Sequence, residues 1–295
     1  MQLFTDAFTS LKFGELQEFG NLKLTPIFID EAMPPEGFVG FDELFDKGLV
    51  DASELSESGV VGRISVTNKS DSHLVLLDGE ALVGAKQNRI VERSMIIGPQ
   101  SSVSVPVNCV ERGRWSYDRR APASFRKADF AATPSMKMSK AAMIKNKLDH
   151  SIQSEMWASV DRVAASHDVS SRSDNLGEIF EKSDIVDQYD IEVYIEKMNA
   201  HGFIVEGVKH PFIELFCYPR FCIGYCKKAV RAWLSESRLS SEQRISKPEE
   251  LKAVTWELSE AFGLENAWVP KGDSTGRLIQ SKSGQLIHMF WGSMG

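Results

Sequence analysis

Ser101-Ser102-Val103-Ser104-Val105-Pro106-Val107-Asn108 alternates polar and apolar residues, the period of an extended strand with one face turned to a core. Val103, Val105 and Val107 share that face. If the pleat continues past Pro106, the same parity carries Cys109 and Glu111 to the apolar side, while Ser102, Ser104 and Asn108 face away. A carboxylate at that rim needs a partner, and Lys86, Arg89 and Arg114 are the nearest cations in sequence. Upstream, residues 60–67, 73–77 and 89–97 read as further strands, separated from one another and from the 101–108 strand by Asn68-Lys69-Ser70-Asp71 and Gly98-Pro99-Gln100 among others. Such connections are too short for helical crossovers, so the strands must pair antiparallel, as in a sandwich or open barrel.

Farther out, residues 22–30 read as extended and 41–50 as a short helix closed by Gly48. Residues 121–135, with Pro122 and Pro134, read as a loop. From Met136 onward Ile144, Leu148, Ile152, Met156, Val160 and Val163 form one helical stripe, and residues 187–200 carry a second through Ile191, Tyr194, Ile195 and Met198. Strands at 203–208 and 212–216 precede a helix over 221–236. Ser246-Lys247-Pro248-Glu249 has the pattern of a capping box, opening a helix through Leu251, Val254, Thr255, Leu258, Ala261 and Phe262 to Gly263. Strands at 266–269, 277–281 and 285–291 finish the chain. The expected fold is α+β: an antiparallel β-sandwich-like module over 1–120, a basic linker and long helices over 121–200, and a mixed α/β region over 201–295, the helical and mixed half packed on the module.

The 295 residues are 42% hydrophobic and 25% charged, the balance of a globular protein. No apolar run reaches membrane-spanning length, and Met1 to Gly20 lacks a basic start followed by an apolar block, so a cytoplasmic location is expected. Cys109, Cys217, Cys222 and Cys226 match neither a disulfide framework nor a zinc ribbon. Small buried thiols are the expectation; a metal site of Cys217, Cys222 and Cys226 with His210 would need a nonstandard C-x4-C-x3-C spacing. The net charge is −7, yet ten Lys or Arg between Arg112 and Lys147 face only Asp118 and Asp129, making that segment +8 and the rest −15. Such a segment pairs with the chain's own carboxylates on a solvated face, attracts an anionic ligand or faces an acidic partner, and the interleaved Trp115, Tyr117, Phe125 and Phe130 suit stacking on a base or nucleotide. Net acidity disfavours nucleic acid as that partner.

No G-x-G-x-x-G, P-loop, H-E-x-x-H, G-x-S-x-G or EF-hand pattern occurs. The polar residues concentrate instead in Asp78-Gly79-Glu80, Gly84-Ala85-Lys86-Gln87-Asn88-Arg89 and Cys109-Val110-Glu111-Arg112-Gly113-Arg114-Trp115. Lys86, Gln87, Asn88, Arg89 and Arg114 supply the donors that phosphate or carboxylate recognition needs, with Trp115 beside them. Gln153 and Trp157 share a helix face, and Gln153 is long enough to reach these groups. Glu80 and Glu111 are the candidate catalytic pair, since two carboxylates near cations can divide acid and base roles. They could equally hold a divalent cation with Gln87 or Asn88, or simply brace Lys86, Arg89 and Arg114. Cys109, Arg277 and His288 are accessory candidates. No cofactor or metal is assigned by these residues.

The run Leu77 to Glu80, the block Gly84 to Arg89, Pro106-Val107, Cys109 to Glu111, Gly113 to Trp115 and the pair Gln153 and Trp157 together resemble the ARG and rhodanese-phosphatase-superfamily-associated protein domain family. Gly276-Arg277 and His288-Met289 anchor the looser C-terminal third. The resemblance implies a setting near ADP-ribosylglycohydrolases and rhodanese-like phosphatases, hence ADP-ribose, NAD or phosphate-ester chemistry. The leading expectation is a protein that binds or processes a phosphorylated or nucleotide-like small molecule through Glu80, Lys86 to Arg89, Glu111 and Arg114. The alternative is a non-catalytic interaction protein whose cluster is a structural network and whose segment 112–147 docks an acidic partner or nucleic acid.

Overall fold

The computed structural model describes residues 11–29, 36–117, 123–148, 152–183, 185, 188–238, 254–258, 267–272 and 274–292. Its strands in chain order are β1 (Leu11–Phe13), β2 (Gln17–Phe19), β3 (Leu22–Ile29), β4 (Phe38–Gly40), β5 (Val50–Glu54), β6 (Arg63–Asn68), β7 (His73–Leu76), β8 (Glu80–Gly84) and β9 (Arg89–Val91). They continue as β10 (Met95–Ile97), β11 (Ser101–Cys109), β12 (Phe125–Ala131), β13 (Gly202–Glu206), β14 (Phe212–Phe216), β15 (Trp256–Leu258), β16 (Ala267–Pro270), β17 (Thr275–Gln280) and β18 (Leu286–Gly292). The helices are α1 (Phe41–Asp46), α2 (Pro134–Lys145), α3 (Ile152–Ser166), α4 (Leu176–Lys182), α5 (Gln188–Met198) and α6 (Pro219–Ser237). The fold is α+β, and every strand pair is antiparallel except β4 with β7.

The chain divides into two compact units, one of residues Gly37–Lys137 and His150–Ile185, the other of Met1–Glu36, Met138–Asp149 and Val186–Gly295. The first unit holds a six-stranded sheet in the order β12-β8-β9-β11-β6-β5 and a three-stranded sheet β10-β7-β4. Val105, Val107, Ile64 and Val66 from the larger sheet share a core with Leu74, Leu76 and Ile97 from the smaller, a sandwich-like arrangement of two sheets around one apolar layer. Pro106 does not interrupt β11, which pairs with β6 up to Pro106 opposite Arg63 and with β9 from Val107 onward.

The second unit is built on one sheet in the order β1-β3-β13-β14-β18-β17-β16-β15, with β2 paired to β3. Helix α6 packs its aromatic residues on it: Trp233 meets Phe212 and Tyr225 meets Phe216 at centroid distances of 6.0 and 5.6 Å. Cys222 and Cys226 are buried on the same helix as reduced thiols, their sulfurs 3.7 Å apart.

Several elements differ from the sequence expectation. Residues 89–97 form two strands, because the chain leaves the larger sheet after Val91 and joins the smaller one at Met95. Buried Glu92 and Arg93 pair with each other at that corner. Residues 121–135 contain β12 rather than an uninterrupted loop; its exposed Arg126 and Asp129 suit the edge of the sheet it occupies. The stripe from Ile144 to Val163 is two helices, α2 ending at Lys145 and Leu148 lying exposed. Trp256 to Leu258 is a strand, paired with β16, where a helix was expected; Ser246 to Glu249 lie outside the described residues. Among the described residues no helix is long and apolar enough to cross a membrane.

Candidate functional site

The polar cluster lies in the first unit, where β8, β9 and the end of β11 come together. Register pairs Cys109 with Arg89 across β11 and β9, and Leu82 with Arg89 across β8 and β9. Between β8 and β9 the chain turns through Ala85, whose φ of 40° puts a non-glycine residue in the left-handed region. Such backbone persists only where its surroundings over-determine it.

Arg114 supplies that constraint. Its Nη1 donates to the Ala85 carbonyl at 2.6 Å and its Nη2 to the Gly84 carbonyl at 3.3 Å. The same guanidinium grips Glu111 from two sides, Nε to Oε1 at 2.8 Å and Nη2 to Oε2 at 2.6 Å. Glu111 also accepts from the Asn88 backbone N–H at 3.0 Å and the Ser173 hydroxyl at 3.1 Å. Its carboxylate thus takes four hydrogen bonds while almost wholly buried. Asn88 closes the turn by accepting from the Gly84 N–H at 3.1 Å and donates to Asn175 at 3.2 Å. Asn175 is the N-cap of α4, where its side chain accepts from the N–H groups of Gly177 and Glu178. Residue 113 must be glycine here, since a Cβ would come within 2.7 Å of the Ser173 backbone.

Glu80 has a separate task. Its Oε2 accepts from the Leu77 N–H at 2.8 Å and so closes the turn that enters β8. Gln153, from α3, straddles Cys109 as a neighbouring strand would, accepting from its N–H at 2.8 Å and donating to its carbonyl at 3.0 Å. The Cys109 thiol donates to the Glu111 carbonyl, and burial raises its pKa, so it stays protonated. A buried protonated thiol is a poor nucleophile.

Arg89 behaves differently from Arg114. It is 0% exposed; its Nη1 donates to Gln87 Oε1 at 2.6 Å, and the guanidinium also interacts with the Cys109 thiol. Nε and Nη2 hold no hydrogen bond, and the closest carboxylate, Glu54 Oε1, is 3.9 Å from Nη2. Burial lowers the Arg89 pKa, opposed by the neighbouring Cys109 and Glu54. Glu54 Oε2 is also buried without a hydrogen bond. Over this floor lies an exposed rim: Trp115, 43% exposed, has its ring centroid 5.5 Å from Arg89 Cζ and 5.6 Å from Lys86 Nζ. Lys86 Nζ also stands 5.4 Å from the ring centroid of Tyr117, itself 46% exposed.

The structure therefore gathers Lys86, Gln87, Asn88, Arg89, Cys109, Glu111, Arg114, Trp115 and Gln153 in one region of one unit. Arg277 and His288 belong to the other unit, on β17 and β18. There His288 Nε2 is 2.9 Å from Glu214 Oε1, both groups buried, with the His288 ring 4.9 Å from Phe216. Sequence reasoning missed Glu54 and the 173–175 segment; of the interleaved aromatics, Trp115 and Tyr117 are exposed at the rim while Phe125 and Phe130 are buried. For Glu54 the signal was present: Val50, Ala52 and Glu54 have the same strand parity, and the first two are core residues. Among the described residues no group of three or more His, Cys, Asp or Glu is placed to hold a metal ion.

Much of the basic segment pairs within the chain. Arg112 bridges Asp161 and Asp174 at 3.0 and 2.7 Å, Lys127 reaches Asp46 at 2.6 Å, and Lys145 donates to the Ser274 carbonyl at 2.8 Å. Arg119 and Arg120 lie outside the described residues.

The profile of the ARG and Rhodanese-Phosphatase-superfamily-associated Protein domain matches residues 10–282, which includes every residue of this site. The chain belongs to that family. Comparison with curated proteins and with solved structures returned no match.

Proposed function

We propose that this family member binds a phosphorylated, nucleotide-like small molecule at the rim of Lys86, Trp115 and Tyr117 above Arg89. One observation carries the reading: a fully buried guanidinium keeps two donors without hydrogen bonds directly beneath an exposed aromatic ring. Leaving a buried donor unmade costs about 1–3 kcal/mol. A group retained at that cost calls for a partner, and at a solvent-facing rim a ligand can supply it. The rim adds what a nucleotide needs, a flat π face for a base and an ammonium for a phosphate. The family's association with the ARG and rhodanese-phosphatase superfamilies fits a ligand from a modification pathway, and the expected cytoplasmic setting suits it.

In this reading Glu111 and Arg114 brace the turn that presents Lys86 to Arg89, and the site binds without a carboxylate pair doing acid–base work. Titration calorimetry with ADP-ribose tests it. Wild-type protein should bind, and Lys86→Ala and Trp115→Ala should each weaken binding about tenfold, as loss of a stacked base or a phosphate contact does. Both side chains are partly exposed, so the variants should keep the fold. Folded wild-type protein that gives no heat with ADP-ribose, NAD or mononucleotides would end the proposal.

A further inference from the structure

The floor of this site is charge-paired before any ligand arrives. Glu54 faces Arg89 at 3.9 Å, and Gln87 takes one guanidinium nitrogen. What remains is two donors, Arg89 Nε and Nη2, and one acceptor, Glu54 Oε2, all buried and without hydrogen bonds. A phosphate driven onto this floor would meet the Glu54 carboxylate and lose its water for no net positive charge. A neutral group carrying an acceptor beside a donor would satisfy both residues at once. The edge of a heterocyclic base is such a group: a ring nitrogen or carbonyl accepts from arginine, and an adjacent N–H donates to a carboxylate. Among the described residues, the rim cation in reach of solvent is Lys86, between the Trp115 and Tyr117 rings.

We infer that the site takes a nucleotide base-first, its hydrogen-bonding edge on Arg89 and Glu54 and its phosphate outside at Lys86. The inference rests on the proposed function and makes Glu54 the residue that sets base preference. Trp115 then acts as the cover, because its ring lies over Arg89 and must turn aside to admit the base and close on its face. Gly59 lets the chain pack close beside them: its φ is 74°, and a Cβ there would sit 3.1 Å from Trp115 Cζ2, 3.2 Å from Lys86 Cδ and 3.3 Å from Glu54 Oε2.

Calorimetric titration of the full chain with AMP, GMP and ribose 5-phosphate tests the orientation. At least one mononucleotide should bind about tenfold more tightly than ribose 5-phosphate, the increment a specific base-edge pair supplies. Glu54→Gln, which turns one acceptor into a donor, should shift the AMP-to-GMP preference about tenfold and leave ribose 5-phosphate unchanged. Ribose 5-phosphate binding as tightly as both mononucleotides would overturn the inference while sparing the site. So would Glu54→Gln tightening all three ligands alike, as removal of a repelling charge from a phosphate pocket would. Absence of binding by all three to the wild type, with ADP-ribose also inert, would remove the proposed function and this inference with it. If Glu54→Gln does not fold, the wild-type series decides alone.

Discussion

Replacing Glu111 by alanine deletes the acceptor of four hydrogen bonds, two from Arg114, one from the Asn88 N–H and one from Ser173. The side chains of Glu111 and Arg114 are 5% and 16% exposed, so the orphaned guanidinium cannot simply turn to water. Breaking a buried ion pair from one side costs about 3–5 kcal/mol. Arg114 keeps its bonds to the carbonyls of Ala85 and Gly84, which places the expected loss near the lower end, about 3 kcal/mol. Glu111→Gln keeps the shape and one acceptor oxygen, and should lose about 1–2 kcal/mol. Removing both partners should recover part of the loss, with a coupling of about 1–3 kcal/mol between the positions. Urea unfolding followed by circular dichroism and tryptophan fluorescence measures each term, the slope confirming a common unfolded state. A Glu111→Ala protein that loses less than about 1 kcal/mol yet no longer binds ligand would refute the reasoning, because Glu111 would then be a ligand or catalytic group and not a brace.

Arg112→Ala should cost less than about 1 kcal/mol despite removing two ion pairs, since both are exposed, and the difference should vanish in high salt. Gln153→Ala strips the Cys109 N–H and carbonyl of their partners and should destabilise by about 1–3 kcal/mol in the same unfolding assay. Burial raises the pKa of Cys109, Cys217, Tyr194 and Tyr218, so the unfolded chain gives up these protons first. The contribution of these groups to stability should accordingly be constant below the ordinary thiol value of 9.0 and fall above it, measurable as a lower urea midpoint at pH 10 than at pH 8. Desolvation lowers His201 and His210, so the unfolded chain binds protons first as pH drops through 6.5, and stability should decline below that point.

How much of this was legible in the sequence depended on the distance over which each signal acts. Alternation along β11 is local, and it correctly set Val105 and Val107 in the core; Cys109 is buried outside that cluster, and Asn108, expected to face away, is buried too, donating to Glu92. The corner at Glu92 and Arg93 was invisible because which sheet a strand joins is decided by pairing with residues far away. The break between α2 and α3 was hidden by continuing apolar periodicity, although Lys147 takes a φ of 58° and Leu148 faces water. The density of polar types around Lys86 and Glu111 foretold that these residues cluster, but not which contacts each one makes. Arg114 and Arg89 look alike in sequence; register alone surrounds one with carbonyls and a carboxylate and leaves the other buried with two unmade donors. Glu54 acts on Arg89 across 35 positions, a separation no motif spans.

The most direct test follows the indole N–H signals of the six tryptophans by nitrogen–proton correlation spectroscopy during titration with ADP-ribose, Trp115 being assigned through Trp115→Phe. A ligand seated on the rim moves the Trp115 signal saturably and leaves those of Trp256, Trp268 and Trp291 in place. Movement of those three with Trp115 unchanged, or no movement at all at millimolar ligand, would contradict the assignment of this site.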